Sequence, residues 1–187
     1  GTVTRGCVDK TGTLTKGKLL VTETSFTDTR LAYITAVVAN ELRDPREFAR
    51  WKWATEYARK NSGKVSSPSD LQKKYTIDDR IPFSSERRFL AVRSGAEIFI
   101  VGAPETVADY SSLAQKSKTK ALQEVHTWAQ QGKRLIGMAH RKCVSVAAAK
   151  KDFEHLSKGK SLRSKVKWLG VMGYTDPVRS GVKSALN

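Results

Sequence analysis

The chain has 187 residues, 39% hydrophobic and 28% charged, which suits one soluble domain or a domain with a piece of another. Lys and Arg number 34 against 18 Asp and Glu, and the net charge of +16 attracts nucleic acid, an anionic membrane face or nucleotide phosphates. No run approaches the roughly 18 apolar residues of a membrane span, "GTVTRGCVDK" has no leader pattern, and neither Cys7 and Cys143 nor His126, His140 and His155 are spaced as a disulfide framework or metal site.

In chain order, Val3, Cys7 and Val8 are strand-type residues running into a polar loop at Asp9, and residues 18–26 (KLLVTETSF) have strand composition. Residues 27–42 read as a helix capped by Thr27 or Asp28. A second helix is expected from Asp44 to Lys60, with Pro45 in its first turn and Asn61-Ser62-Gly63 after its end. "GKVSSPS" reads as a loop and "SDLQKKY" as a short helical turn. Residues 87–94 and 97–103 alternate as a β-hairpin around "SGA". Helices follow at 104–113 and 118–132, a strand at 134–142, and a helix or an insertion at 146–156. A last apolar strand spans 166–176, and a helix starts at Pro177. Strands and helices mixed in this order predict an α+β fold, a mostly antiparallel sheet flanked by helices.

The basic residues are thinly spread, and the densest stretch, 150–167, is interrupted by Asp152 and Glu154. No nucleic-acid recognition pattern accompanies them, so no nucleic acid is expected as a partner. The two ends differ from the middle, since each is an apolar strand with an aspartate at its end, Asp9 and Asp176. In a parallel α/β sheet chemistry gathers at that position. The ends therefore read as edges of one domain (residues 1–20 and 171–187) with a second domain, 21–170, inserted between them.

A carboxylate at a strand end before a Thr-Gly-Thr turn can attack a phosphoryl group. Lys10, hydroxyls and amides can hold the phosphate oxygens, with Mg²⁺ offsetting the charge. Phosphohydrolases of the haloacid dehalogenase type use Asp-x-Asp, but here the second position is Thr11, which cannot act as the acid that helps break a phosphoaspartate. A long-lived phosphoaspartate suits an enzyme that couples phosphorylation to a change of shape. "DKTGTLT" (9–15) is identical to the phosphorylation signature of the P-type ATPases, and a cysteine two residues ahead of the aspartate, as Cys7 is, is common there.

The rest of the chain resembles that family motif by motif. "TDPVRSGV" matches its Asp-Pro-x-Arg segment with Asp176, Pro177 and Arg179. "DPREFA" (44–49) resembles the helix start whose glutamate accepts from the adenine amino group, which puts Glu47 in that role. "IPFSSERRF" (81–89) resembles the Phe-Ser segment that stacks on adenine, giving Phe83 the stacking role and Arg88 that of a cation beside ring or phosphates. "VGAPE" (101–105) resembles Lys-Gly-Ala-Pro-Glu, with Gly102 and Ala103 as a small-residue wall and Val101 where the family carries lysine. Arg88 or Arg134 are the expected substitutes for that ammonium. "GKRLIGMA" (132–139) resembles the strand whose arginine, here Arg134, reaches the phosphates.

The resemblance implies an ATP-binding domain of a cation pump, with short terminal pieces of an α/β haloacid dehalogenase-like domain. Asp9, Lys10 and Thr11 take catalytic roles and Asp9 and Thr11 hold Mg²⁺. The other Mg²⁺ aspartates, the actuator segment and the membrane helices fall outside these residues, so the chain by itself is expected to bind nucleotide, as a monomer, without turnover. The absence of a His-Pro pair speaks against heavy-metal pumps, and "DPREFA" leans toward the calcium-type group, with sodium, potassium and magnesium open. A soluble haloacid dehalogenase-type phosphotransferase and a basic nucleic-acid-binding module are the alternatives. A cytosolic head close to an anionic membrane face is a milder account of the +16 charge.

Overall fold

The computed structural model describes residues 18–159 and 165–177. The strand expected near Val3 to Val8, the residues Asp9, Lys10, Thr11 and Arg179, and most of the helix expected from Pro177 lie outside the described residues. In chain order the elements are β1 (Leu20–Phe26), α1 (Thr29–Val38), α2 (Pro45–Lys60), α3 (Pro68–Lys74), β2 (Asp79–Ile81), β3 (Phe89–Ser94), β4 (Glu97–Gly102), α4 (Pro104–Tyr110), α5 (Gln115–Gln130), β5 (Arg134–Lys142), α6 (Val146–Ser157) and β6 (Lys167–Thr175). The strands form one six-stranded sheet in the order β1-β6-β5-β4-β3-β2. Every neighbouring pair in it is antiparallel, so the expected α+β architecture is the one observed.

Alternation along the strands sends apolar side chains to both faces, and each face is covered by helices. On one face Val92, Phe99, Val101, Ile136, Met138 and Tyr174 are buried with Ala32 and Ala36 of α1 and Ala49 of α2. Tyr33 and Val37 of α1 meet Ala54 of α2 and Leu71 of α3 in a smaller cluster that ties these helices together. On the other face Phe89, Ile98, Ile100 and Val171 pack under Val107 of α4, Val125 of α5, and Phe153 and Leu156 of α6. Residues 146–156 are thus a helix with a buried stripe, not an insertion.

Local chemistry explains where elements begin and end. Asp28 caps α1, accepting from the Leu31 amide at 3.0 Å, while the Thr27 hydroxyl donates to the Trp168 carbonyl of β6 at 3.1 Å. α1 stops at Val38, short of the expected Leu42, because the chain turns there. Asn40 donates to the carbonyls of Ala36 and Glu47, and Leu42 adopts a positive φ of 56°. α5 starts at Gln115, ahead of the expected Lys118, from a residue with no side-chain cap bond. The three-residue strand β2 was not expected at all. Its anchor is Arg93 of β3, whose guanidinium binds Asp79 at 2.6 Å and Asp78 at 3.1 Å, a pairing between residues distant in the chain.

The first and last strands are neighbours, with Leu20 facing Thr175, so the chain enters and leaves the described fold side by side. Their ladder contains a tight spot at Gly170, which has φ +129° and faces both Phe26 and Met138 beside a register shift. A methyl group there meets the Ser25 carbonyl oxygen and the Phe26 backbone, and L residues rarely adopt that φ. Gly170→Ala is expected to cost on the order of 2–3 kcal/mol, read as a lower midpoint in urea unfolding. An unchanged midpoint would show that the ladder relaxes there.

Candidate functional site

β3 begins, β4 ends and β5 begins at the same end of the sheet, and α2 starts above that end. Leu90, Val101 and Ile136, one from each strand, make an apolar floor. Above it stand Glu47 and Arg46 from the first turn of α2, and Phe83 and Arg88 from the loop before β3. The cleft is open to solvent on one side and measures about 260 Å³, just below the usual range for ligand pockets, which suits a flat ring held inside with polar substituents outside.

Each wall has a local cause. Asp44 caps α2, its Oδ1 accepting from the amides of Arg46 at 2.7 Å and Glu47 at 3.0 Å, and Pro45 fills the first helical position. Burial pushes the Asp44 carboxyl up, but the bonds from the Glu47 and Arg46 amides and the Arg46 guanidinium outweigh it and hold the carboxyl below its ordinary value. Glu47, 6% exposed, accepts from the Arg43 amide at 2.7 Å, and its other oxygen lies 3.7 Å from the Arg50 guanidinium. Arg50 is buried and donates to the carbonyls of Ala39 at 2.7 Å and Ala36 at 3.3 Å. Beneath them the Tyr174 hydroxyl is pushed up to about 12 by burial, against the pull of Arg50.

The loop carrying Phe83 is held from its other end. The Ser84 carbonyl accepts from the Arg88 amide at 2.7 Å, and the Ser84 hydroxyl accepts from the Arg87 amide at 3.1 Å. Arg88 takes a positive φ of 58°, a conformation that costs a non-glycine residue about 1–3 kcal/mol. Its carbonyl accepts from the Ala103 amide at 2.8 Å, tying the loop to the end of β4, and its guanidinium sits 3.6 Å from Glu105. Phe83 stays half exposed, with the Arg46 guanidinium carbon 5.7 Å from its ring centroid.

Of the residues expected from motifs, Glu47, Phe83, Arg88, Gly102 and Ala103 line this one cleft. Arg134 is exposed on the strand that supplies Ile136 to the floor, outside the lining itself. Asp176 follows β6 and does not line the cleft, and Asp9, Lys10, Thr11 and Arg179 lie outside the described residues. Gly102 has a nearer reason to be glycine than contact with a ligand. Its missing side chain faces Phe89 across the ladder, and a Cβ there lies 2.5 Å from both the Arg88 carbonyl oxygen and the Phe89 Cβ. Only its backbone is offered to the cleft.

An aromatic face, an apolar floor and guanidinium groups interleaved with carboxylates suit an anionic ligand that carries a flat heterocycle. Comparison with known proteins decides the family. The model of the P-type ATPase cytoplasmic domain N matches residues 35–181. The chain belongs to that family. Curated relatives include calcium-transporting ATPase type 2C member 1 of Pongo abelii, 27% identical over 219 residues, covering 96% of this chain and 23% of the relative. The proteins of the same name from Mus musculus and Homo sapiens are also 27% identical, over 220 residues. The chain therefore spans about a quarter of the length of these relatives, at 23%. Neither a soluble phosphotransferase nor a nucleic-acid-binding module is what the domain N match favours.

Motif reading left out some walls of the N-domain cleft. Leu90 and Ile136 share a sheet face with Val101, which strand alternation could have revealed. Arg50 follows Glu47 by one helical turn, a spacing that predicts a pair. Arg46 stands beside Glu47 in "DPREFA" and had no signal of its own, because its position over Phe83 depends on the fold. Glu47→Ala leaves the buried Arg50 without its carboxylate and the Arg43 amide without its acceptor. It is expected to lower stability by about 3 kcal/mol, with Glu47→Gln milder, in chemical denaturation. Equal stability of Glu47→Ala and the parent would show that the backbone carbonyls alone satisfy Arg50.

Proposed function

We propose that this N domain binds ATP by its adenine in the cleft under Phe83 and delivers the γ-phosphate to Asp9 within a longer cation-transporting pump. The observation that carries the reading is convergence. Residues from three separated motifs, Glu47, Phe83 with Arg88, and Gly102 with Ala103, line a single cleft. Phe83 stacks on the base, a contact of about 1–3 kcal/mol. Glu47 accepts from the adenine amino group, the Gly102–Ala103 backbone closes the ring's edge, and Arg88 and Arg134 face the phosphates.

Outside the described residues, Asp9 is the phosphate acceptor, with Lys10 and Thr11 at the phosphate and Mg²⁺ held by Asp9 and Thr11. Asp176 and Arg179 are further nucleotide-binding residues, where the chain leaves the domain. Residues 21–170 form the nucleotide-binding domain, and 1–20 and 171–187 are edges of the phosphorylation domain. The neighbouring positions of β1 and β6 support this division, because an inserted domain needs its two ends together. The relatives' name favours calcium as the ion moved. The partners are ATP and the phosphorylation, actuator and membrane domains of the same pump. Among the described residues no helix is long and apolar enough to cross a membrane, in keeping with a cytosolic portion of a membrane protein. The chain alone binds nucleotide without turning it over.

Calorimetric titration with ATP, AMP and GTP tests the reading. ATP and AMP are expected to bind, GTP several-fold more weakly, and Phe83→Ala to weaken ATP binding roughly tenfold. Equal heats for GTP and ATP, with Phe83→Ala indifferent, would remove the adenine site from this cleft.

A further inference from the structure

The cleft has an unusual charge arrangement. Its floor is apolar at Val101, which is only 2% exposed between Leu90 and Met138 and offers no cation from below. Arg50 is buried and committed to the Ala36 and Ala39 carbonyls. Arg88 leans toward Glu105 at 3.6 Å. Arg46 differs from both. Among the described residues its guanidinium makes one hydrogen bond, to Asp44 Oδ2 at 3.1 Å, and it lies over the ring of Phe83.

We infer that Arg46 is the cationic half of a base clamp, its guanidinium and the Phe83 ring closing on opposite faces of the purine. The inference rests on the nucleotide reading above and assigns the cation missing from position 101 to the opposite wall of the cleft. A guanidinium is planar and stacks on aromatic rings, which a lysine ammonium cannot do. The separation of 5.7 Å between the Arg46 guanidinium carbon and the Phe83 centroid is close to a contact pair. A base sandwiched between them needs roughly 7 Å, two stacking distances of about 3.5 Å. The clamp therefore opens by a little over an ångström when nucleotide enters. Both jaws have room for that movement, since the Arg46 side chain is 43% exposed and Phe83 is 50% exposed. Asp44 fixes the hinge side, because one of its oxygens caps the helix through the Arg46 amide and the other holds the guanidinium. In the free protein the same guanidinium covers the aromatic face that the base later takes.

The test is titration of the 187-residue chain with adenosine, AMP and ATP, comparing the parent with Arg46→Met, Arg46→Lys and Phe83→Ala. Arg46→Met keeps an unbranched side chain and the Asp44 cap, and thermal melting checks that each variant is folded. A clamp on the base predicts that Arg46→Met weakens all three ligands by the same factor, about tenfold, with Arg46→Lys recovering only part of the loss. It also predicts that the Arg46 Nε–H proton shifts in NMR spectra when adenosine alone is added, from the ring current of the base. A loss confined to AMP and ATP would make Arg46 a phosphate contact and overturn the clamp. So would unchanged binding in folded Arg46→Met while Phe83→Ala still loses it. If Phe83→Ala is silent too, the nucleotide reading itself fails, a different result from failure of the clamp.

Discussion

The cleft depends on how closely β3 and β4 approach each other at Gly102. The two strands are paired there, with the Arg88 carbonyl and the Phe89 side chain in the space that a Cβ at position 102 would occupy. That approach brings the Arg88 carbonyl within 2.8 Å of the Ala103 amide. The bond pins the end of the loop that starts at Pro82, and the half-exposed ring of Phe83 faces Arg46 of α2. A positive φ at Arg88 is the local cost of this route. The hydrogen bonds of Ser84 and the ladder between β3 and β4 offset it. The aromatic wall is therefore a product of sheet geometry, although it sits on a loop.

The opposite wall rests on a polar network. Asp44, Glu47 and Arg50 lie on the first turns of α2 and are joined to the end of α1 through the Ala36 and Ala39 carbonyls and Asn40. An ion pair this buried adds little stability compared with apolar packing. What it fixes is position, since α2 cannot slide along α1 without breaking bonds to three carbonyls, those of Ala36, Ala39 and Glu47. Tyr174, wholly buried below Arg50, extends the contact to β6, the strand through which the chain leaves the domain. The cleft floor and β6 thus share a single packed core.

Much of this could be read before the fold was known, for reasons that differ by element. β3, β4, β5 and β6 announce themselves because strand alternation and apolar composition are local. The caps at Asp28 and Asp44 are equally local, as is Pro45. β2 is not, because three residues carry too little periodicity and its register is set by Arg93 on another strand. The end of α1 is hidden for a similar reason, since Asn40 makes its bonds to residues on two different helices. At the cleft, Glu47, Phe83, Arg88, Gly102 and Ala103 were legible through motif resemblance. Arg46 was not, since a cation over an aromatic ring is a tertiary relation. The motifs point to Arg88 and Arg134 as substitutes for a lysine at position 101, yet the guanidinium over the Phe83 ring belongs to α2.

The +16 net charge is not concentrated in the cleft, where Asp44 and Glu47 stand against Arg46, Arg50 and Arg88. The proposed selectivity therefore rests on the apolar floor and the Phe83 face more than on attraction to phosphate, and amide-resolved NMR with AMP tests that claim most directly. The account predicts that AMP shifts signals around Glu47, Phe83 and Gly102, with the lysines of α5 and α6 silent. Shifts spread over the lysines of α5 and α6, with the cleft unmoved, would mean that the protein attracts phosphate by charge alone and that the cleft does not hold the base.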